Sequence, residues 1–237
     1  MYSSATTDLC HHGRHLGGFA GAGVGVGEIA CSEPSRHDVA ALAVAPRWPP
    51  ERTLALPGRC RGSVMARWAD SCRRHFGDAA VLRLRSGLPA WAHDLPDDPP
   101  EEAWFPVGLQ LRLTELVIDD LLGGEALRLE ALLRADIRRA LPRATAMFLR
   151  AVGPAAVLGR AKQIHPHLYD VGTATAELGR GHAVVACEGA MMFGHPTWLL
   201  LQLFAHRGFI ALTGRDVAEA IAIATREDAA RIELAWT

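Results

Sequence analysis

Apolar residues recur at helical spacing through the middle of the chain and switch to strict alternation towards its end. Val64, Trp68 and Cys72 share one stripe of a helix that Ser63 caps and Gly77 ends. A further helical turn follows over 79–86, and the Pro- and Asp-rich stretch 87–102 reads as a loop. From Pro106 to Leu122, residues Leu109, Leu113, Leu116, Val117 and Leu121 fall on one face, with Gln110, Arg112, Glu115 and Asp119 away from most of them. Leu129, Leu133 and Ile137 form the inner stripe of a helix over 125–141, with a Glu130–Arg134 pair outside. Pro142 and Pro154 then punctuate two more helices, 143–151 and 155–165.

The period changes after residue 170. Residues 171–178 and 182–188 flank the turn Gly179-Arg180-Gly181, which predicts a β-hairpin. An apolar helix over 197–212 separates it from a second alternating pair, 216–225 and 230–236. In the last of these, Ile232, Leu234 and Trp236 face opposite to Arg231 and Glu233. The order predicts an α+β fold: N-terminal helices packed on a four-stranded antiparallel sheet of two hairpins, with a helix inserted between them.

Residues 1–57 differ from the rest. A glycine run from Gly17 to Gly27 is followed by Pro46, Pro49, Pro50 and Pro57. This stretch reads as a disordered Gly/Pro-rich extension with at most a short helix over 36–44, leaving 58–237 as one domain.

Composition narrows the function. Of 237 residues, 49% are hydrophobic and 22% charged, and the formal net charge is −1. That excludes disorder throughout and an electrostatic nucleic-acid binder. No apolar stretch is long enough to span a membrane, because His195-Pro196 breaks the longest one. Five cysteines without a C-x-x-C pair read as free thiols of a cytoplasmic protein.

Candidate chemistry is sparse. Gly21-x-Gly23-x-Gly25 lacks the strand, the helix and the spacing of a dinucleotide fingerprint. Cys10, His11, His12 and His15, with Cys31 and His37 further on, are irregularly spaced for zinc. His165, His167 and Asp170 are close enough in sequence for acid–base or metal chemistry, although Pro166 favours an extended connection whose polar groups fix a turn. Trp198, Gln202 and His206 share a stripe of the 197–212 helix, where a histidine could serve as a haem ligand or sit at the edge of a core.

Several segments carry a family resemblance. They are Arg61-Gly62-Ser63, Leu88-Pro89, Trp104-Phe105-Pro106, Tyr169-Asp170-Val171-Gly172, and Gly194-His195-Pro196-Thr197-Trp198 followed by Gly208. In these the chain from about Gly62 to Trp236 resembles a paralogous family of uncharacterised myxobacterial proteins. More distantly it is similar to the superfamily of vinyl-reductase-type domains, haem–nitric-oxide sensors and TRAPP subunits. The resemblance implies a ligand- or partner-binding module rather than a catalyst. It carries the fold and not the ligand. The last hairpin lacks the cysteine frequent in vinyl-reductase-type domains, and no Tyr-x-Ser-x-Arg element is present.

The resulting expectation is a non-enzymatic regulatory domain that binds an apolar small molecule or a partner protein. Its pocket is expected between helices and sheet, lined by Trp104, Phe105, Trp198, Phe204 and His206. The final helix or an edge strand offers a homodimer contact, and no cofactor is identified. The alternatives are a haem or metal sensor using His206, His195 or His165/His167, and a small enzyme using His165, His167 and Asp170.

Overall fold

A computed structural model describes residues 35–93 and 98–237. The described residues all lie in the unit Glu33–Thr237. The glycine run, the Cys10–His15 cluster and Cys31 lie outside them.

The unit opens with β1 (Ser35–His37), α1 (Val39–Ala43) and α2 (Pro50–Leu54). These residues fall in the stretch read from sequence as an extension. They fold because their partners are distant in the chain: Arg36 pairs with Ile223 across the sheet. Asp38 also caps α1 by accepting the Ala41 N–H at 2.7 Å.

The helical part runs through β2 (Arg59–Arg61), α3 (Gly62–Phe76), α4 (Asp78–Ser86), β3 (Trp104–Pro106) and α5 (Val107–Leu116). It continues into α6 (Ala126–Ala140), α7 (Arg143–Leu158) and α8 (Ala161–Leu168). β2 and β3 form a small antiparallel ladder of their own. The helix expected over 106–122 changes character at Val117. A wider turn closes there, with the Leu122 N–H bonded to the Val117 carbonyl at 3.0 Å. Gln110 and Glu115, expected towards solvent, are buried. Glycine explains part of this, because a Cβ on Gly108 would lie 2.1 Å from the Thr53 carbonyl oxygen. Only glycine lets α2 settle onto α5 there.

α7 joins the helix expected over 143–151 to the start of the one expected over 155–165, which breaks after Leu158, and kinks at Gly153, whose φ is 75°. α8 differs from expectation. Pro166 lies within it, so His165 and His167 are helical rather than extended. Pro166 removes the bond to the Lys162 carbonyl, and Lys162 is exposed, so water can take its place.

The remainder is β4 (Thr173–Gly179), β5 (His182–Glu188), α9 (Pro196–Leu212), β6 (Val217–Arg226) and β7 (Ala229–Trp236). These four strands are the two expected hairpins with α9 inserted between them. The sheet has a fifth strand, in the order β1-β6-β7-β5-β4. Val185, Ile232 and Ala222 lie in register and are buried, as are Ala183, Leu234 and Ala220. The small face of β6 is thus the inner one, which lets α9 pack close to the sheet. α9 supplies Trp198, Leu199, Leu203, Phe204 and Ile210 to the core, each at most 2% exposed. No helix among the described residues is long and apolar enough to cross a membrane.

Candidate functional site

Three features inside the fold could carry chemistry. The first is a closed polar node at the start of α9. His195 caps the helix through Nδ1, which accepts the Thr197 N–H at 3.2 Å, and Pro196 follows as the first helical residue. Because Nδ1 accepts, the proton of the neutral ring is on Nε2, which donates to Thr53 Oγ1 at 2.9 Å. Glu115 Oε1 lies 3.8 Å from the same nitrogen and accepts from Thr197 Oγ1 at 3.1 Å. Arg112 donates to Glu115 Oε2 at 3.2 Å. Trp48 covers the imidazole with a ring separation of 4.7 Å, and Arg52 lies over Trp48.

Burial, with a contribution from the Arg52 charge, pushes the His195 imidazole down to about 4. Burial pushes the Glu115 carboxyl up, and Arg112, Thr197 and Arg47 offset it only in part. His195 and Glu115 are both completely inaccessible to solvent. With both ring nitrogens bonded and the imidazole buried, the node ties α2, α5 and α9 together.

The second feature is a buried cluster around Tyr169. Its hydroxyl accepts from Gln110 Nε2 at 3.3 Å. Burial pushes it up to about 12. Gln110 Oε1 has no hydrogen-bond partner among the described residues. Trp198 Nε1 makes no bond of good geometry, although it lies close enough to favour the Tyr169 phenolate. Cys60 and Cys187 border this tyrosine electrostatically and are inert thiols, pushed up to about 12 by burial.

The third feature is a cavity of about 50 Å³ between α3, α4 and α5. Met65, Trp68, Cys72, Leu84, Leu113 and Val117 give it an almost wholly apolar lining. Burial pushes the Cys72 thiol up to about 12, so it serves here as an apolar wall. A second void of about 10 Å³, beside Arg47 and Thr197, has room for about one water.

The five residues expected to line one pocket are placed apart from these cavities. Trp198 and Phe204 are core residues of α9, Phe105 is buried on β3, and His206 is half-buried. Trp104 is half-buried and stacks with Arg61 at 4.4 Å. None of the five lines either cavity. Sequence periodicity marks residues as inward-facing, but it does not say which inward-facing positions leave a gap.

His165, His167 and Asp170 do not converge. His165 Nε2 bonds the Val171 carbonyl at 2.9 Å, and its ring lies against Tyr169 and Phe193. Asp170 accepts from both the Arg59 backbone N–H and its guanidinium at 2.6 Å. Burial pushes its carboxyl up, but those Arg59 contacts outweigh that and hold it below the usual carboxylate range. His167 is exposed. A helical turn and an ion pair have separated the three groups that the sequence brought together.

Among the described residues no group of three His, Cys, Asp or Glu side chains is placed to hold a metal ion. His206 is the histidine best disposed to donate. Its Nδ1–H is held by the Gln202 carbonyl at 2.6 Å, and no bond occupies Nε2 among the described residues. Burial lowers its basicity, which favours the neutral ring. Neither cavity touches it, however, and neither approaches the size of a macrocycle. As packed, these residues do not fit a haem.

No family model matches the chain, and no curated protein matches it. Among solved structures, the chain is similar to the Fe(II) unliganded H-NOX protein from K. algicida, with a TM-score of 0.53 at 10% identity. An alanine-to-glycine variant of that protein gives a TM-score of 0.52 at 11% identity. Each match covers 75% of this chain and 96% of the other. The fold is H-NOX-like, as the distant part of the sequence resemblance implied.

Proposed function

We propose that this chain is a small-molecule-binding sensor domain with a regulatory rather than catalytic role, cytoplasmic in location. The observation that carries the reading is the partly open apolar cavity bounded by α3, α4 and α5 in an H-NOX-like fold. Its lining offers mainly dispersion contacts, with Arg85 the one charged side chain beside it. The ligand is accordingly uncharged and apolar, either a few heavy atoms in size or the end of a longer apolar molecule. A nearer kinship with the myxobacterial paralogous family, and a role in signalling, belong to the same proposal.

The fold likeness favours a second reading, haem itself held by His206. The filled core around α9 opposes it, since a haem would need that helix repacked.

Xenon is a suitable probe, because a dry apolar cavity takes it up. A crystal of the full chain under xenon pressure is expected to show one site between Met65, Leu84 and Val117. In solution, short linear alkanes are expected to raise the melting temperature of the parent and not of Ala69→Leu, which fills the cavity. Absence of both responses refutes the cavity reading. A Soret band after haem addition that is lost in His206→Ala would establish the second.

A further inference from the structure

Between Asp136 and Asp170 the chain has no carboxylate. Those 33 residues contain Arg138, Arg139, Arg143, Arg150, Arg160 and Lys162, in a protein whose formal net charge is −1. None of the six cations forms an ion pair among the described residues. The same stretch carries Met147, Phe148, Val152 and Ile164, all exposed large apolar side chains. Positive charge and bare apolar surface therefore coincide on α7 and its flanks.

The first part of α7, before the Gly153 kink, organises them. At about 100° per residue, Met147, Ala151, Ala144, Phe148 and Val152 fall within an arc of about 140°. All five are exposed, with Met147 at 70% and Phe148 at 56%. Ala146 and Leu149 lie outside that arc and are partly covered. Arg143 and Arg150 fall at one border of the apolar face, and Arg138 and Arg139 stand at the end of the preceding helix. Solvent would call for polar residues on this face, so the pattern is the reverse of an ordinary surface helix.

We propose that the first part of α7 is a peripheral membrane-docking surface that rests on bilayers containing anionic lipid. An anionic bilayer offers both complements at once: negative headgroups for the arginines and acyl chains for Met147, Phe148 and Val152. A second copy of the chain is a poorer occupant, since a two-fold contact would gather two sets of these arginines in one interface with no carboxylate from the same stretch to pair them. Nucleic acid would use the arginines and leave the apolar arc exposed. This inference is independent of the ligand cavity, which lies among α3, α4 and α5.

The test is flotation of the full chain with phosphatidylcholine vesicles containing about one-third phosphatidylserine, beside pure phosphatidylcholine vesicles. Binding is expected only to the anionic vesicles and is expected to weaken as salt rises. The triple substitution Arg139→Glu, Arg143→Glu, Arg150→Glu is expected to lower partitioning roughly 100-fold or more, at about fivefold per cation removed. Met147→Ser with Phe148→Ser is expected to lower it at least roughly tenfold. All these positions are exposed, and unchanged circular-dichroism melts would confirm folding. Equal binding to both vesicle types, no binding to either, or variants that bind like the parent would overturn the proposal. So would a DNA duplex or an acidic protein captured in preference to vesicles. A halving of native mass in the serine variant, with vesicle binding unchanged, would assign the face to a dimer instead.

Discussion

α9 and the first part of α7 are both rich in apolar residues, yet the protein uses them in opposite ways. α9 lies between the sheet and the other helices, and Trp198, Leu203 and Phe204 are essentially inaccessible. α7 carries Met147, Phe148 and Val152 into solvent. Hydrophobicity alone would make both helices core elements. What separates them is the surroundings: α9 has small alanines opposite it on β6, whereas the residues of the α7 apolar arc are exposed and bordered by arginines. The first arrangement builds stability and the second leaves a surface to be used.

Two phenylalanines make that contrast measurable. Phe204→Ala is expected to cost about 3–5 kcal/mol of unfolding free energy in denaturant titration, through lost burial and a residual cavity. Phe148→Ala is expected to change it by no more than about 0.5 kcal/mol, because the ring is already in water. Similar losses at the two positions would break the distinction.

The closed node gives the next largest effect, and its sign is fixed. His195 titrates at about 4 in the fold against 6.5 for an ordinary imidazole. Between those values the unfolded chain binds the additional proton, so stability falls as pH drops through that window. The total available from this site is on the order of 3 kcal/mol. His195→Asn keeps a capping side chain and is expected to flatten the acid limb of a stability–pH profile. Glu115 acts oppositely: its raised folded value makes its contribution one that is lost as pH rises. Glu115→Gln is therefore expected to flatten the limb above the ordinary carboxylate range.

Smaller effects concern the cavity and the surface. Ala69→Leu is expected to raise stability by about 1 kcal/mol by filling the space beside Trp68 and Leu84. Arg59→Ala removes an exposed guanidinium from Asp170, and thermal melts are expected to show a loss below about 1 kcal/mol.

Much of the architecture was legible in the sequence because helical stripes and strand alternation are local. Leu129, Leu133 and Ile137 mark α6 without knowledge of any other element, and Gly179-Arg180-Gly181 marks its hairpin. Of the segment 35–57 only the short helix expected over 36–44, found as α1, was legible, and the rest was not, for the opposite reason. Its strand and helices are three to five residues long and exist through pairing and packing with the far end of the chain. The same holds for the node, whose groups come from three separate stretches around Thr53, Glu115 and His195. One signal was available there: His195-Pro196-Thr197 is a plausible capped helix start, with proline at its first position. Glu115 gave none, because a carboxylate on an amphipathic helix is ordinarily solvated. The cavity was illegible because it is defined by what its lining fails to fill.

The most direct measurement is native mass spectrometry of the purified full chain beside its visible spectrum, repeated on Ala69→Leu. The expected result is a bound apolar mass on the parent, lost in the variant, with no Soret band in either. A haem mass with a Soret band, or bare polypeptide mass for both proteins, would contradict it.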